Sequence, residues 1–286
     1  MTDAMDADAP PSRLHLLGKA VRIAVLVWLG LLLVLGLTQR SMIYFPSVVD
    51  EASIGKEAAA KGLLAWRNSH GETIGFCSIA PSCGRPRASV IIFHGNAGHA
   101  VHRADYIQIL RDASPGTAMS VYIMEYPGYG ARIGSPSQEI LIAAAKDAIA
   151  QLPTDETLLL LGESLGGGVA CAVAAGEPHR VHGLLLMTPF DTLSSVARHH
   201  YPLLPVDWIL SDRYPSAEWL KKFRGPCVMV IASADTVIPP ELGEALYDTY
   251  GGPKKMIVVQ GATHDSAAGM MPATAWREAV EFLLKN

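Results

Sequence analysis

The segment Gly162-Glu163-Ser164-Leu165-Gly166 constrains this chain more than any other. An apolar run, Thr157 to Leu161, precedes it, and a Gly/Ala-rich stretch, Gly167 to Ala175, follows. The order reads as strand, sharp turn, helix. In so tight a turn a Cβ at the flanking positions would collide with neighbouring backbone, and glycine at 162 and 166 removes the collision. The serine between them is left at the strand's carboxyl end, above the N-terminus of the next helix.

The rest of the chain supplies the scaffold such a turn needs. Leu63 to Ile79 reads as two strands around the turn Asn68-Ser69-His70-Gly71, a hairpin pattern. Short apolar runs follow at Ser89–Phe93, which is β-branched, and at Ser120–Met124, Thr157–Leu161, Gly183–Met187, Cys227–Ile231 and Lys255–Val259. Helical stretches separate them: Ala100 to Asp112, a helix opened by Ser135-Pro136 with Gln138 completing a capping box, and a final helix from about Ala273 to Leu284. Alternation of β and α with fully apolar strands predicts an α/β fold, a mostly parallel sheet covered on both faces. Ligands of such sheets bind at the carboxyl ends of the strands. The stretch Thr188 to Pro226, rich in aromatics and prolines, reads as a helical cap at about 188–226 or as an ordinary crossover with a long loop.

A serine nucleophile needs a base, a group to orient the base, and donors for an oxyanion. His264, just after the last strand, is the base candidate. Asp235 and Asp191 both follow strands between Ser164 and His264. Asp235 is favoured because its strand is nearer the histidine loop in the chain, and Asp191 suits helix N-capping. The loop His94-Gly95-Asn96-Ala97-Gly98 is the candidate oxyanion loop, with the backbone N–H groups of Asn96 and Leu165 as donors. Glu125-Tyr126-Pro127-Gly128-Tyr129-Gly130 also follows a strand and reads equally as a pocket wall or as a plain turn.

These motifs together resemble the α/β-hydrolase-fold serine hydrolases, in the branch with an N-terminal membrane anchor. The residues carrying the resemblance are FHGNAGH at 93–99, EYPGYG at 125–130, GESLGGG at 162–168, TPFD at 188–191, SADTVIP at 233–239 and GATHD at 261–265. The resemblance runs from about Ile43 to the C-terminus. It implies an eight-stranded, mainly parallel sheet and a triad of Ser164, Asp235 and His264. Glu163 is not fixed by the pattern and is assigned no role. The activity expected is cleavage of carboxylic esters or acyl thioesters through an acyl-enzyme, with a lipid or lipidated protein among the substrates considered. The rivals are a serine peptidase or acyl-peptide hydrolase and a non-enzymatic, membrane-tethered scaffold. No cofactor or metal is expected, and no Cys/His spacing resembles a zinc site.

The segment Ile23–Leu37, IAVLVWLGLLLVLGL, carries no charge. Fifteen helical residues span about 22 Å, short of a bilayer core of about 30 Å, but Ala20, Val21 and Thr38 extend the segment and Arg22 and Arg40 can snorkel. A cleaved signal peptide, a buried core helix and an uncleaved anchor compete, and the anchor is preferred. This divides the chain into a tail and anchor, 1–40, and a hydrolase domain, 41–286, with Ser41–Pro46 as a linker. Arg13, Lys19 and Arg22 before the segment, against Arg40 alone until Lys56, place the catalytic domain outside the cytoplasm. A formal net charge of −4 gives no sign of nucleic-acid binding. Cys77 and Cys83 flank an Ala-Pro-Ser turn and read equally as a small disulfide or as two unpaired thiols.

Overall fold

The computed structural model describes residues 13–81, 84–85 and 87–286. The tail before residue 13 and Cys83, with the disulfide expectation it carries, lie outside the described residues; Cys77 is buried in the core. The chain divides into two units, 1–39 and 40–286.

In the first unit a helix starts at Arg13; it runs on to Ile43 in the second. Leu14–Ile43 is long and apolar enough to cross a membrane, as an anchor or a signal sequence would be.

In the second unit eight strands form one sheet. They are β1 (Leu64–Arg67), β2 (Thr73–Ser78), β3 (Arg87–Phe93), β4 (Ala118–Met124), β5 (Thr157–Glu163), β6 (Gly183–Met187), β7 (Cys227–Ala232) and β8 (Lys254–Val259). Their order is β8-β7-β6-β5-β3-β4-β2-β1. Pairing is parallel from β8 to β4, and antiparallel where β2 meets β4 and β1. The sheet is the eight-stranded, mainly parallel one expected.

The strands are apolar throughout because both faces are covered. Alternate residues point to opposite sides. Leu158, Leu160, Leu184 and Leu186 join one core with Ile91 and Phe93, while Leu159, Leu161, Leu185 and Met187 join the other with Val90 and Ile92. The helices Gln138–Ala150 and Leu165–Gly176 cover the first face, and Asp105–Ala113 and Ala273–Lys285 the second. Each fully buried leucine contributes about 1.5–3 kcal/mol. The strands β3 and β5, buried at the centre, are therefore the most firmly held platform for a site.

Several local expectations are corrected. The linker 41–46 is not free chain: Phe45–Pro46 pairs in parallel with Ala97–Gly98, and Tyr44 is buried, its hydroxyl donating to Asp212 Oδ2 at 2.8 Å. The helix Glu51–Ala60, capped by Asp50, was not anticipated from the sequence pattern. The helix after Gly134 begins at Gln138, with Ser137 as its N-cap in place of Ser135. Gln138 completes no capping box because its Oε1 accepts from Tyr214 N at 2.6 Å. The stretch Ala100 to Asp112 is a short 3-10 turn, Ala100–Arg103, followed by the helix Asp105–Ala113. Between β6 and β7 lie three short helices, Leu193–His200, Val206–Ile209 and Ser216–Leu220.

Candidate active site

Ser164 is the first residue beyond β5, and its backbone is strained. Its φ is 53° and ψ −116°, a conformation L-residues rarely adopt. Steric exclusion around it explains how it is held. A Cβ at Gly162 would lie 2.5 Å from Gly166 O and 2.6 Å from Gly167 Cα, and one at Gly166 would run into the Phe93 carbonyl oxygen of β3. Ser164 N still donates to Met187 O of β6 at 2.9 Å, so the turn remains sewn to the sheet. Gly168, the extra glycine of the motif, makes room for Tyr214 of the segment between β6 and β7: a Cβ there would be 2.8 Å from the Tyr214 ring.

Asp235 follows β7 and His264 follows β8. Their loops are joined by Ala234 N donating to Ala262 O at 2.9 Å and Gly261 N to Ser233 Oγ at 2.8 Å. Across this junction His264 Nδ1 and Asp235 Oδ2 are 2.7 Å apart. The other carboxylate oxygen, Oδ1, accepts from Val237 N and Ile238 N, each at 2.8 Å. The Asp235 side chain is almost wholly buried, and every bond it makes is one an ionised carboxylate accepts. Such a carboxylate fixes the imidazole with its proton on Nδ1 and leaves Nε2 as acceptor. Among the described residues no hydrogen bond joins Ser164 Oγ to His264. Bonds of this kind are often long until substrate binds.

Asp191 is placed differently. Its Oδ2 accepts from Ser195 Oγ at 2.9 Å, and its Oδ1 is buried without a partner. It is not the N-cap of the following helix; Thr192 is, through Oγ1 accepting from Ser195 N. Among the described residues His264 bonds to Asp235 and not to Asp191.

The loop after β3 passes beside the elbow, so that a Cβ at Gly95 would lie 3.7 Å from Ser164 Cβ. Asn96 uses its side chain structurally: Nδ2 donates to Ile43 O at 3.0 Å. Its carbonyl accepts from Phe45 N at 2.8 Å and Tyr129 Oη at 2.7 Å. Leu165, at the first position of the elbow helix, is buried.

The loop Glu125–Gly130 is more than an idle turn. Tyr126 and Tyr129 are buried and donate to the carbonyls of His94 and Asn96, at 2.9 and 2.7 Å. Glu125 accepts from Ala100 N with both oxygens at 3.2 Å. The loop braces the 94–100 segment from behind. Burial pushes both tyrosine hydroxyls above their ordinary pKa, so they remain donors.

Glu163, which the sequence left without a role, pairs with Arg103, Oε2 to Nε at 2.5 Å. Burial alone would lower the Arg103 pKa, but the adjacent Glu163 carboxylate outweighs it and raises the value. The pair ties the elbow to the segment after the 94–98 loop. Sequence reasoning had no local signal for it, since the partners are 60 residues apart. A separate cavity of about 530 Å³, lined by Ile54, Phe76, Arg67, Arg132 and Glu125 among others, contains none of Ser164, Asp235 and His264.

Sheet order, elbow and loop placement define an α/β hydrolase. Residues 84–219 match the family model described as serine aminopeptidase, S33. Among solved structures the chain is similar to Est1E from Butyrivibrio proteoclasticus, with a TM-score of 0.58 and 15% identity over 78% of this chain and 99% of that one. It is also similar to a monoacylglycerol lipase of Paleococcus ferrophilus, with a TM-score of 0.51 and 20% identity over 70% and 96% of the two chains. At these identities the likeness speaks for the fold. In sequence it is 32% identical over 250 residues to the uncharacterised protein Rv2307c of Mycobacterium tuberculosis, covering 86% of this chain and 87% of its relative. The chain belongs to the α/β-hydrolases and, within them, to the family of that protein.

Proposed function

We propose that this chain is a membrane-anchored serine hydrolase that cleaves carboxylic esters or acyl thioesters through an acyl-enzyme. The observation that carries the reading is the His264–Asp235 hydrogen bond of 2.7 Å, made by a buried carboxylate whose second oxygen is already satisfied. Such a pair has one evident use beside a strained serine at the same edge of the sheet. Ser164 Oγ attacks the carbonyl carbon while His264 Nε2 takes its proton. The N–H groups of Leu165 and Asn96 stabilise the oxyanion. The tetrahedral intermediate collapses, His264 returns the proton to the leaving alcohol or thiol, and water then repeats the cycle on the acyl-enzyme.

Esters are favoured by one of the fold neighbours, a monoacylglycerol lipase. The cap exposes Leu203 at 92% and Trp208 at 87%, apolar surface suited to acyl chains or a membrane-borne substrate. The serine aminopeptidase description of the matching family supports amide cleavage as the second reading. In the anchor reading Leu14–Ile43 spans the bilayer, and the basic residues preceding the apolar core place the catalytic domain outside the cytoplasm.

The test is a turnover series on the full chain with p-nitrophenyl esters of rising acyl length, acyl thioesters and aminoacyl p-nitroanilides. Ester or thioester turnover with a defined chain-length optimum is expected. Preferential anilide turnover transfers the chain to the peptidase reading, and no turnover of any class by folded protein overturns the hydrolytic mechanism.

A further inference from the structure

Three side chains that take no part in the proposed reaction converge just beyond the oxyanion loop. Glu57 lies on the helix Glu51–Ala60, His99 precedes the 3-10 turn Ala100–Arg103, and His102 lies within it. One potential ligand atom from each is within 4.8 Å of the other two. His99 Nε2 is 3.6 Å from Glu57 Oε2, and the rings of His99 and His102 lie with centroids 3.7 Å apart, tilted by 34°.

The ordinary alternative is a structural histidine held by hydrogen bonds, and His99 does not fit it. The residue is 3% exposed, its Nδ1 is buried without a partner, and its Nε2 reaches Glu57 only beyond hydrogen-bond distance. Buried polar atoms are nearly always satisfied, so this ring lacks a partner. Neutral imidazole, with a free ring nitrogen, is the form that binds a metal. Tetrahedral zinc with bonds of about 2.0–2.1 Å sets its donor atoms roughly 3.3 Å apart, close to the 3.6 Å already present between His99 and Glu57.

Two cations flank the cluster. Lys61 Nζ is 3.7 Å from Glu57 Oε1 and donates to Val101 O at 3.2 Å, so a bound ion displaces it from the carboxylate. Arg103 is committed to Glu163.

We propose that Glu57, His99 and His102 form a divalent transition-metal site, with zinc the ion that best suits two neutral imidazoles and a carboxylate. Bound there, the ion ties the helix Glu51–Ala60 to the segment three residues beyond Asn96 and stiffens the oxyanion loop from outside. It takes no part in bond making. The spacing of the ligands hid the site, since Glu57 and His99 meet only through the fold.

The experiment is a cobalt titration of chelator-stripped, full-length protein in detergent, followed by zinc displacement and a thermal melt. The expected result is one equivalent of Co²⁺ with visible tetrahedral absorption, displaced by Zn²⁺, and a Tm that rises with zinc. His102→Ala, at an exposed position, and Glu57→Gln should each weaken binding by at least roughly tenfold. His199→Ala, outside the cluster, should bind as wild type. Failure of folded wild type to take up a stoichiometric ion overturns the proposal, as does wild-type affinity in both His102→Ala and Glu57→Gln.

Discussion

Ser164 and His264 stand at the same edge of one sheet, yet they are held in different ways. Around Ser164 the backbone is fixed by what cannot fit: Cβ atoms at Gly162 and Gly166 would meet backbone atoms of the elbow helix and β3. Around His264 the geometry is fixed by what bonds: a carboxylate 29 residues earlier and two loop-to-loop hydrogen bonds. Steric exclusion between backbone atoms is stiff and local. A hydrogen-bonded junction of two loops is softer and depends on residues far apart in the chain. The proposed nucleophile is thus set by the central strands, and the proposed base is free to adjust toward it. That division is in keeping with the open Ser164–His264 link, which substrate binding is expected to close.

The contrast can be broken from either side. The largest effect is expected at the bonded side. Asp235→Asn preserves shape but lets the imidazole adopt the wrong tautomer, and kcat should fall by about 10³–10⁴ with little change in KM. Steady-state ester kinetics beside a melting curve check this, and an unchanged kcat would remove Asp235 from the mechanism. At the steric side, Gly166→Ala forces a Cβ into the Phe93 carbonyl, so it should cost about 2–4 kcal/mol of stability, read by urea unfolding. An alanine accepted without loss would mean that exclusion does not set the elbow. The smallest effect belongs to Asp191→Asn. It touches Ser195 and not the histidine, so kcat/KM should stay within about threefold of wild type. A thousandfold loss there would reverse the choice of acid.

The same division explains what the sequence made legible. The elbow was readable because its requirement is local: glycines two positions either side of a serine, after an apolar strand. The sheet was readable because burial on both faces forces uninterrupted apolar runs. Features built from distant partners were not. Tyr44 meets Asp212 across 168 residues, which is why 41–46 looked like a linker. Gln138 looked like half of a capping box until the backbone N–H of Tyr214 claimed it. Glu125, Tyr126 and Tyr129 gave no local sign that their partners would be the carbonyls and N–H of the 94–100 segment. Asp235 lay between these cases. Its position after a strand was visible, but its preference over Asp191 rests on a contact that only the fold creates.

The central claim is that Ser164 is an activated nucleophile. It is tested most directly by reacting the folded full-length protein with a fluorophosphonate probe and mapping the adduct by mass spectrometry. The account predicts one stoichiometric adduct on Ser164, absent from Ser164→Ala and slowed at least roughly a thousandfold in His264→Ala. Folded wild-type protein that stays unlabelled, or an adduct that persists in Ser164→Ala, would contradict it.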